Sequence, residues 1–304
     1  MRMRAREKAM GVALVALASL ALASPSFADE PSGYIPWPSE LPGRTVGPGG
    51  PPPPVAGCRH PGVKCVVRLT RRLRAEWRAQ NAACSHEAIF GLGYLRITDE
   101  IRRRLATPMT FKHRRWFIGV VQGFSNMYFA TGKRYDAGKP VPESWRIYYD
   151  AMDHGDFNAG QDLLLASNAH TNHDLPYAYA ASGLLNRNGH SRKHDHDAVN
   201  KVNAGVFDEL STYYAEHYDP FFTTTNLASP FDQLSALQMV QSWRENAWRQ
   251  AERLVEAKTK AQLQAVQRDI EQTSTAWAKL IAGGTEPGHR AVRDAYCATH
   301  RVGA

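Results

Sequence analysis

Apolar residues recur every three to four positions along most of the chain beyond residue 58, which is the period of a helix with one buried face. Sustained alternation of apolar and polar residues is nearly absent, and so are the Asn-Gly and Asp-Gly turns of β-hairpins. The pattern therefore predicts an all-α fold, a single bundle of about eight helices. The segments with this period are VVRLTRRLRAEWRAQNA, EAIFGLGYLRITDEIRRRLA, FKHRRWFIGVVQGFSNMYFATG, PESWRIYYDAM, NAGQDLLLASNAHTNHDLPYAYAASGLL, DAVNKVNAGVFDELSTYYAEHY, the tract over residues 231–281, and HRAVRDAYCATH.

The N-terminus has the pattern of a secretory signal sequence. Basic residues precede an uncharged apolar run from Ala9 to Ala23, and Ser26, Phe27 and Ala28 form a small-x-small cleavage site. The run is shorter than the roughly 20 residues that cross a bilayer. We therefore expect residues 1–28 to be removed as a signal peptide and the mature protein to be secreted, with no transmembrane segment after cleavage.

A second compositional change separates the signal sequence from the helical part of the chain. Residues 29–57 contain nine prolines and six glycines, a composition that prevents helices and favours an extended arm. We expect this segment to be a Pro/Gly-rich linker. Residues 58–304 then form a single α-helical domain.

The charge of the chain changes this picture only slightly. The formal net charge is +8, and removal of the signal peptide takes away four positive charges and one negative charge, which leaves +5. The basic residues lie in clusters on segments of helical period, as on exposed helix faces, and no nucleic-acid-binding motif accompanies them. We expect no nucleic-acid partner, and the sequence leaves the oligomeric state open.

Four cysteines, an even number in an exported chain, predict two disulfides. Cys65 and Cys84 cannot pair if the segment between them is helical, because a rise of about 1.5 Å per residue puts them about 28 Å apart, beyond the roughly 7 Å limit. We favour Cys58 with Cys65, across a Pro-Gly turn, and Cys84 with Cys297. The alternative is a set of buried free thiols.

The segment SNAHTNHDLPYAY places two histidines, an aspartate and two asparagines in an apolar context. If residues 160–185 form one helix, then His170, His173 and Asp174 lie on its buried stripe. Pro176 has no N–H group, so we expect the helix to kink or restart near Asp174. The titratable side chains therefore need partners inside the protein.

Two interpretations of this cluster are open. In the first, His170, His173 and Asp174 bind a divalent metal ion, with zinc as the leading candidate, because these groups converge on one side of a helix. In the second, His170 bonds to Asp174, His173 bonds to a backbone carbonyl, and the network only specifies helix packing. The next segment, GHSRKHDHDAVNKVN, adds His194 as a further metal ligand and Asp197 as a catalytic candidate, although both residues could instead belong to a solvated helix cap.

The segment NAHTNHDLP resembles the NAHxNHDLP signature of a bacterial, largely actinobacterial, family known only as a domain of unknown function. GYLRITDEI, FSNMYF, VPESWR, DAVNKVN and WRENAWRQA resemble further blocks of that family, in the same order, over residues 84–254. The chain differs at Thr171, where an aliphatic residue is common, and in its exported, proline-rich N-terminus. The resemblance implies a shared site without an established reaction. The residues that it implies are Asn168, His170, Asn172, His173, Asp174, Asp197, Asn200, Arg244 and Glu245.

The leading functional hypothesis from the sequence is a secreted metal-dependent hydrolase, in which the ion acidifies a bound water. Asp174 and Asp197 are candidate catalytic residues, as metal ligand or general base, and Arg244 would steady an anion. The substrate would be a small or lipid-like molecule. One alternative is a non-enzymatic exported binding protein in which the His/Asp/Asn cluster is structural. Another is an iron-dependent oxidase or oxygenase.

Overall fold

The computed structural model of the protein describes residues 62–107, 110–220, 222, 230–285 and 287–302. These residues form ten α-helices and one π-helical segment without a β-strand, which confirms the all-α prediction. The predicted signal peptide and the Pro/Gly-rich arm lie outside the described residues. The elements are α1 (Val63–Ala82), α2 (Ala88–Ala106), α3 (Arg114–Asp136), α4 (Glu143–His154), α5 (Ala159–Asn168), the π segment (Ala169–Asp174), α6 (Leu175–Ser182), α7 (Lys193–His217), α8 (Pro230–Glu256), α9 (Lys260–Ala282) and α10 (His289–His300).

The ten helices correspond to the eight predicted segments, two of which are interrupted. The predicted helix over residues 160–185 is a continuous run of α5, the π segment and α6. The long tract over residues 231–281 divides at Thr259, whose side chain accepts the backbone N–H of Gln262 in a capping box that begins α9. The cap explains why a tract with one continuous apolar pattern forms two helices.

The run from α5 to α6 lies at the centre of the bundle. Helices α2, α4 and α9 pack against α5, helices α3 and α8 pack against α6, and α4, α8 and α9 all contact the π segment. Residues along the whole run are buried, among them Leu165, Ala169 and Ala178. Because the run is enclosed, its polar groups have to find partners within the protein. No helix among the described residues has the length and hydrophobicity needed to cross a membrane.

A buried carboxylate fixes α7 to the start of α3. Asp195 accepts the backbone N–H groups of Lys112 at 2.7 Å and His113 at 2.6 Å, just before α3 begins. N–H groups at a helix start lack partners inside the helix, and the helix dipole favours negative charge there. This contact holds the first turn of α7, which carries His196 and Asp197, against the bundle.

The C-terminal helix α10 is attached by a disulfide and by a buried ion pair. Cys84 and Cys297 are bonded to each other, as predicted, and join α10 to the loop after α1. Arg293 Nη1 donates to Asp162 Oδ2 at 2.6 Å, and both side chains are at most 2% exposed. Cys65 is also disulfide-bonded, and its predicted partner Cys58 lies outside the described residues.

Removal of the Cys84–Cys297 disulfide is expected to destabilise the protein. The two cysteines are 213 residues apart in sequence, and a native cross-link of this kind contributes about 2–5 kcal/mol to the free energy of unfolding. Urea titration of the Cys84→Ala/Cys297→Ala variant beside the wild type measures this difference. A loss below about 1 kcal/mol would mean that the Arg293–Asp162 pair holds α10 without the covalent bond.

Candidate functional site

The predicted polar cluster lies on the π segment. Here the central helix, the continuous run of α5, the π segment and α6, is widened. The N–H of Leu175 donates to the carbonyl of His170, five residues earlier. Pro176, the second residue of α6, has no N–H to donate to the carbonyl of Asn172, so regular α-helical bonding fails here. The predicted break therefore takes the form of a π segment, a feature that is frequent at functional sites.

Asp174 is a buried carboxylate with three hydrogen-bond donors. His170 Nδ1 donates to Oδ2 at 3.0 Å, His173 Nδ1 donates to Oδ1 at 2.8 Å, and the indole Nε1 of Trp145 donates to Oδ2 at 3.0 Å. Burial alone would raise the pKa of Asp174, but the bonds from the two imidazoles outweigh burial and lower the pKa below its ordinary value. Asp174 is therefore ionised at neutral pH.

The ionised carboxylate fixes the tautomer of His170. A carboxylate only accepts hydrogen bonds, so the proton of this ring lies on Nδ1. Burial lowers the pKa of His170 against the opposing effect of Asp174, so the ring is neutral at pH 7. A neutral imidazole with a proton on Nδ1 has its lone pair on Nε2. That Nε2 atom is buried and has no hydrogen-bond partner among the described residues.

His173 is in the opposite charge state. Its Nε2 lies 3.2 Å from Glu271 Oε2 on α9, while its Nδ1 contacts Asp174. Burial alone would lower the pKa of His173, but the hydrogen bonds to Asp174 and Glu271 outweigh it and raise the pKa to about 9. Protonated His173 therefore joins α9 to the π segment. The hydrogen bond expected between His170 and Asp174 is present, whereas His173 contacts two carboxylates in place of the expected backbone carbonyl.

His170 lies at the wall of a mainly apolar cavity of about 150 Å³. The imidazole stacks on Phe124, with ring centres 3.4 Å apart and planes inclined by 8°, and Tyr94 approaches with its ring centre at 5.0 Å. These rings fix the plane of the imidazole, so its free nitrogen has a defined position in apolar surroundings. Other lining residues from α2, α3, α5, α7 and α8 include Ile97, Val121, Leu163, Val199, Phe207 and Leu237.

Arg244 of α8 lines the same cavity. Its Nε donates to Asn200 Oδ1 at 2.8 Å, and its Nη2 donates to the backbone carbonyl of His196 at 2.6 Å. Tyr179 also lines the cavity, and its hydroxyl lies 2.8 Å from His196 Nδ1. One cavity therefore joins the cluster on the π segment to the polar residues at the start of α7.

Behind His196, the carboxylates of Asp197 and Glu245 are bridged by Lys193. Its Nζ lies 2.8 Å from Asp197 Oδ1 and 2.9 Å from Glu245 Oε2. Within the described residues, His196, Asp197 and Glu245 form the one group of three His, Cys, Asp or Glu side chains whose donor atoms all lie within 4.8 Å of one another. Burial and nearby cations lower the pKa of His196 well below its ordinary value, so its ring is neutral.

The four predicted metal ligands do not lie in one group. His170, His173 and Asp174 adjoin, but each imidazole bonds to the carboxylate itself. His194 is 46% exposed, and its Nδ1 lies 3.2 Å from Asp195 Oδ1 at the surface start of α7. The group with metal-ligand geometry contains Asp197, predicted to be catalytic, Glu245, implied by the resemblance, and His196, for which no role was predicted.

The three predicted catalytic residues have different positions. Arg244 lines the cavity directly. Asp174 does not line the cavity, but it is hydrogen-bonded to His170, which does. Asp197 is held by Lys193, away from the cavity lining.

The two asparagines of the signature attach the π segment to its neighbours. Asn168 Nδ2 donates to the carbonyl of Ser274 on α9 at 2.8 Å, and Asn172 Nδ2 donates to Asn168 Oδ1 at 2.9 Å. Asn246 Nδ2 of α8 donates to Asn172 Oδ1 at 3.2 Å. Both asparagines therefore have a structural role.

Five residues that complete the site were not predicted from the sequence: Trp145, Phe124, Glu271, Lys193 and His196. Trp145 and Phe124 lie inside two blocks of the resemblance, VPESWR and FSNMYF, so a signal existed for them. Lys193 stands four residues before Asp197, the spacing of a helical ion pair. Nothing in the sequence around Glu271 indicates its contact with His173.

Stability is expected to depend on pH through His173. Because its pKa of about 9 in the folded protein exceeds the value of about 6.5 in an unfolded chain, its stabilisation is complete below pH ~6.5 and disappears as the pH rises through 9. We compare the free energy of unfolding of the wild type with that of His173→Gln, and we expect the difference to be about 2 kcal/mol larger at pH 6 than at pH 10. This figure is smaller than the full pKa shift would give, because Glu271 is 40% exposed.

Urea titrations across this pH range measure the difference. Glu271→Gln is the matched control, since it keeps the imidazole but removes one carboxylate, and it should retain part of the dependence. A constant difference between the wild type and His173→Gln at all pH values would show that the ring is not charged in the folded protein.

Comparisons with known proteins identify one family of unknown function. No curated protein and no solved structure matches the chain significantly. A family model described as a family of unknown function (DUF5995) matches residues 64–283. This match includes the central helix, the cavity lining and both polar clusters, and it covers most of the chain. The protein therefore belongs to the DUF5995 family.

Proposed function

We propose that the protein is an acid–base enzyme that binds a small apolar molecule in the cavity and uses His170 Nε2 as its general base. One observation carries this proposal: His170 forms part of the wall of an apolar cavity, and Nε2 of its neutral imidazole is buried without a hydrogen-bond partner among the described residues. A buried polar atom of this kind costs about 1–3 kcal/mol if nothing ever binds it. A bound substrate or water would supply the missing contact.

Asp174 supports this chemistry without touching the substrate. When Nε2 accepts a proton the ring becomes positively charged, and the carboxylate that lies 3.0 Å from Nδ1 stabilises this charge. The Trp145 indole and protonated His173 hold the carboxylate in place. Asp174 is therefore a positioning residue, whereas His170 contacts the reacting atoms.

Hydrolysis, the reaction class predicted from the sequence, fits this arrangement. Nε2 would take a proton from a water molecule, the resulting hydroxide would attack the carbonyl carbon of a bound ester, and the departing alkoxide would take the proton back from His170. The water and the ester are both consumed, and no further reactant is needed.

The size and lining of the cavity indicate a small apolar or lipid-like substrate. A cavity of about 150 Å³ with apolar walls is known to bind a molecule the size of benzene. We also propose that the protein meets this substrate outside the cytoplasm. The predicted signal sequence and the Cys84–Cys297 disulfide support export, since disulfides persist in oxidising compartments.

His170→Gln is expected to lower kcat for hydrolysis of small aryl esters such as phenyl acetate by about 10²–10⁴-fold, because glutamine occupies a similar volume but supplies no base. Initial rates are compared among the wild type, His170→Gln and His194→Gln. The last variant is the matched control, since His194 is an exposed histidine outside the cavity lining. Circular dichroism establishes that all three proteins are folded.

Nitrogen-15 NMR of the histidine rings gives a readout that does not require turnover. We expect His170 to be neutral at pH 7 with its proton on Nδ1. A proton on Nε2, or equal rates in all three proteins, contradicts the proposal. Binding of toluene without turnover of any ester would instead favour the non-enzymatic binding protein.

A second candidate function, a metal-dependent hydrolase, is favoured by the convergence of His196, Asp197 and Glu245. A neutral imidazole and two carboxylates are suitable zinc ligands, and bound zinc acidifies a water molecule at neutral pH. Lys193 opposes this arrangement, since its ammonium group lies within 2.9 Å of both carboxylates and would have to move away. An iron ion would use the same three side chains, so one assay covers both metals.

The metal candidate predicts one zinc or iron ion per chain in protein purified without chelator and measured by inductively coupled plasma mass spectrometry. Glu245→Gln should remove most of the metal, because it deletes a charged ligand. Lys193→Gln should increase the affinity for metal, because it deletes the competing cation. Protein without stoichiometric metal after dialysis against zinc excludes this candidate and leaves the His170 proposal unaffected.

A further inference from the structure

We infer that the ligand of the cavity is a small apolar carboxylate, with its anionic group bound to Arg244 and its apolar body in the chamber that His170 lines. This inference rests on the proposed function, because both place a ligand in the same cavity. It adds the chemical class of that ligand and the residue that recognises it.

Arg244 differs from the other buried cationic side chains. The described residues include three lysines or arginines that are buried: Lys193 is 3% exposed, Arg293 2% and Arg244 6%. Lys193 bridges two carboxylates at 2.8 and 2.9 Å, and Arg293 has Asp162 at 2.6 Å. Arg244 has no carboxylate within 4.0 Å in the part of the chain that the structure describes.

The contacts of Arg244 within the protein are with neutral acceptors. Nε donates to Asn200 Oδ1 at 2.8 Å, and Nη2 donates to the His196 carbonyl at 2.6 Å and lies 3.4 Å from His196 Nδ1. The carboxylates of Asp197 and Glu245 contact Lys193 and act on Arg244 only from beyond 4.0 Å. The contacts with neutral acceptors orient the guanidinium, and no carboxylate of the described residues contacts it directly.

A ligand anion could form a direct ion pair with the guanidinium from the cavity side. Arginine matches the planar geometry of a carboxylate, with which it forms two parallel hydrogen bonds. The chamber lining is mainly apolar, so a ligand with many hydroxyl or phosphate groups would leave most of them without partners. The chemistry that fits both features is one anionic group on an apolar body of benzene-like size.

Binding of benzoate and benzamide to the mature protein tests this inference by isothermal titration calorimetry. The two compounds have nearly the same shape and differ in charge. We expect the wild type to bind benzoate about 10- to 100-fold more tightly, the range expected for hydrogen bonds to a charged group. The comparison in the wild type does not depend on the folding of any variant.

Two variants of α8 locate the charge that is responsible. Arg244→Met should abolish the preference for benzoate. Arg253→Met should keep it, because this residue carries the same charge on the same helix but is 41% exposed, pairs with Asp269 and does not line the cavity.

The outcomes separate this inference from the proposed function. Equal affinities for benzoate and benzamide in the wild type, or a preference that survives in Arg244→Met, overturn the carboxylate inference and leave a neutral apolar ligand for the cavity. Binding of neither compound overturns the inference and also counts against the cavity as a ligand site.

Discussion

The buried carboxylate of Asp174 is the interaction on which the centre of this structure depends. A lone carboxylate at this depth would be protonated or would destabilise the fold, but two imidazoles and one indole hold it ionised. Its charge attaches α4 through Trp145 and keeps His173 protonated, which in turn attaches α9 through Glu271. The same charge keeps the proton of His170 on Nδ1. One anion thus fixes both the packing of three elements and the chemistry of the cavity wall.

The imidazole of His170 lies at the boundary between two environments. Its Nδ1 belongs to the ionised, hydrogen-bonded network of the π segment, where the charges of Asp174 and His173 cancel. Its ring is also part of the wall of a chamber lined by aromatic and aliphatic side chains, with Phe124 stacked on it and Nε2 buried without a partner among the described residues. Because water competes poorly in such a chamber, a hydrogen bond accepted by Nε2 is stronger there than at a protein surface.

The sequence predicted the helices and the position of the cluster well, because both depend on local spacing. Apolar periodicity and capping residues identify helices, and the proline at position 176 indicated the break that the π segment accommodates. The direction of the contacts could not be predicted in the same way. Spacings of three and four residues allow His170 and His173 either to bind an ion beside Asp174 or to bond to Asp174 itself, and the choice depends on Trp145 and Glu271 from other helices.

The cavity could not be predicted from the sequence, for a related reason. Its wall combines residues of α2, α3, the central helix, α7 and α8, and apolar residues that line a cavity have the same pattern as residues that fill a core. The disulfide between Cys84 and Cys297 shows when a long-range contact can be predicted. There, the length of an intervening helix excluded another pairing of the same four cysteines, whereas no such exclusion operates among dozens of apolar side chains.

Two buried imidazoles, His170 in the cavity wall and His196 behind Tyr179 and Arg244, carry their protons on opposite nitrogens. Arg244 Nη2 lies 3.4 Å from His196 Nδ1, and a guanidinium can only donate, so this Nδ1 is an acceptor and the proton of neutral His196 is on Nε2. The Tyr179 hydroxyl donates to the same acceptor at 2.8 Å. For His196 to bind a metal ion, the ring would have to give up these bonds or lose its remaining proton. His170 needs no such change, because its carboxylate partner already leaves Nε2 with a lone pair.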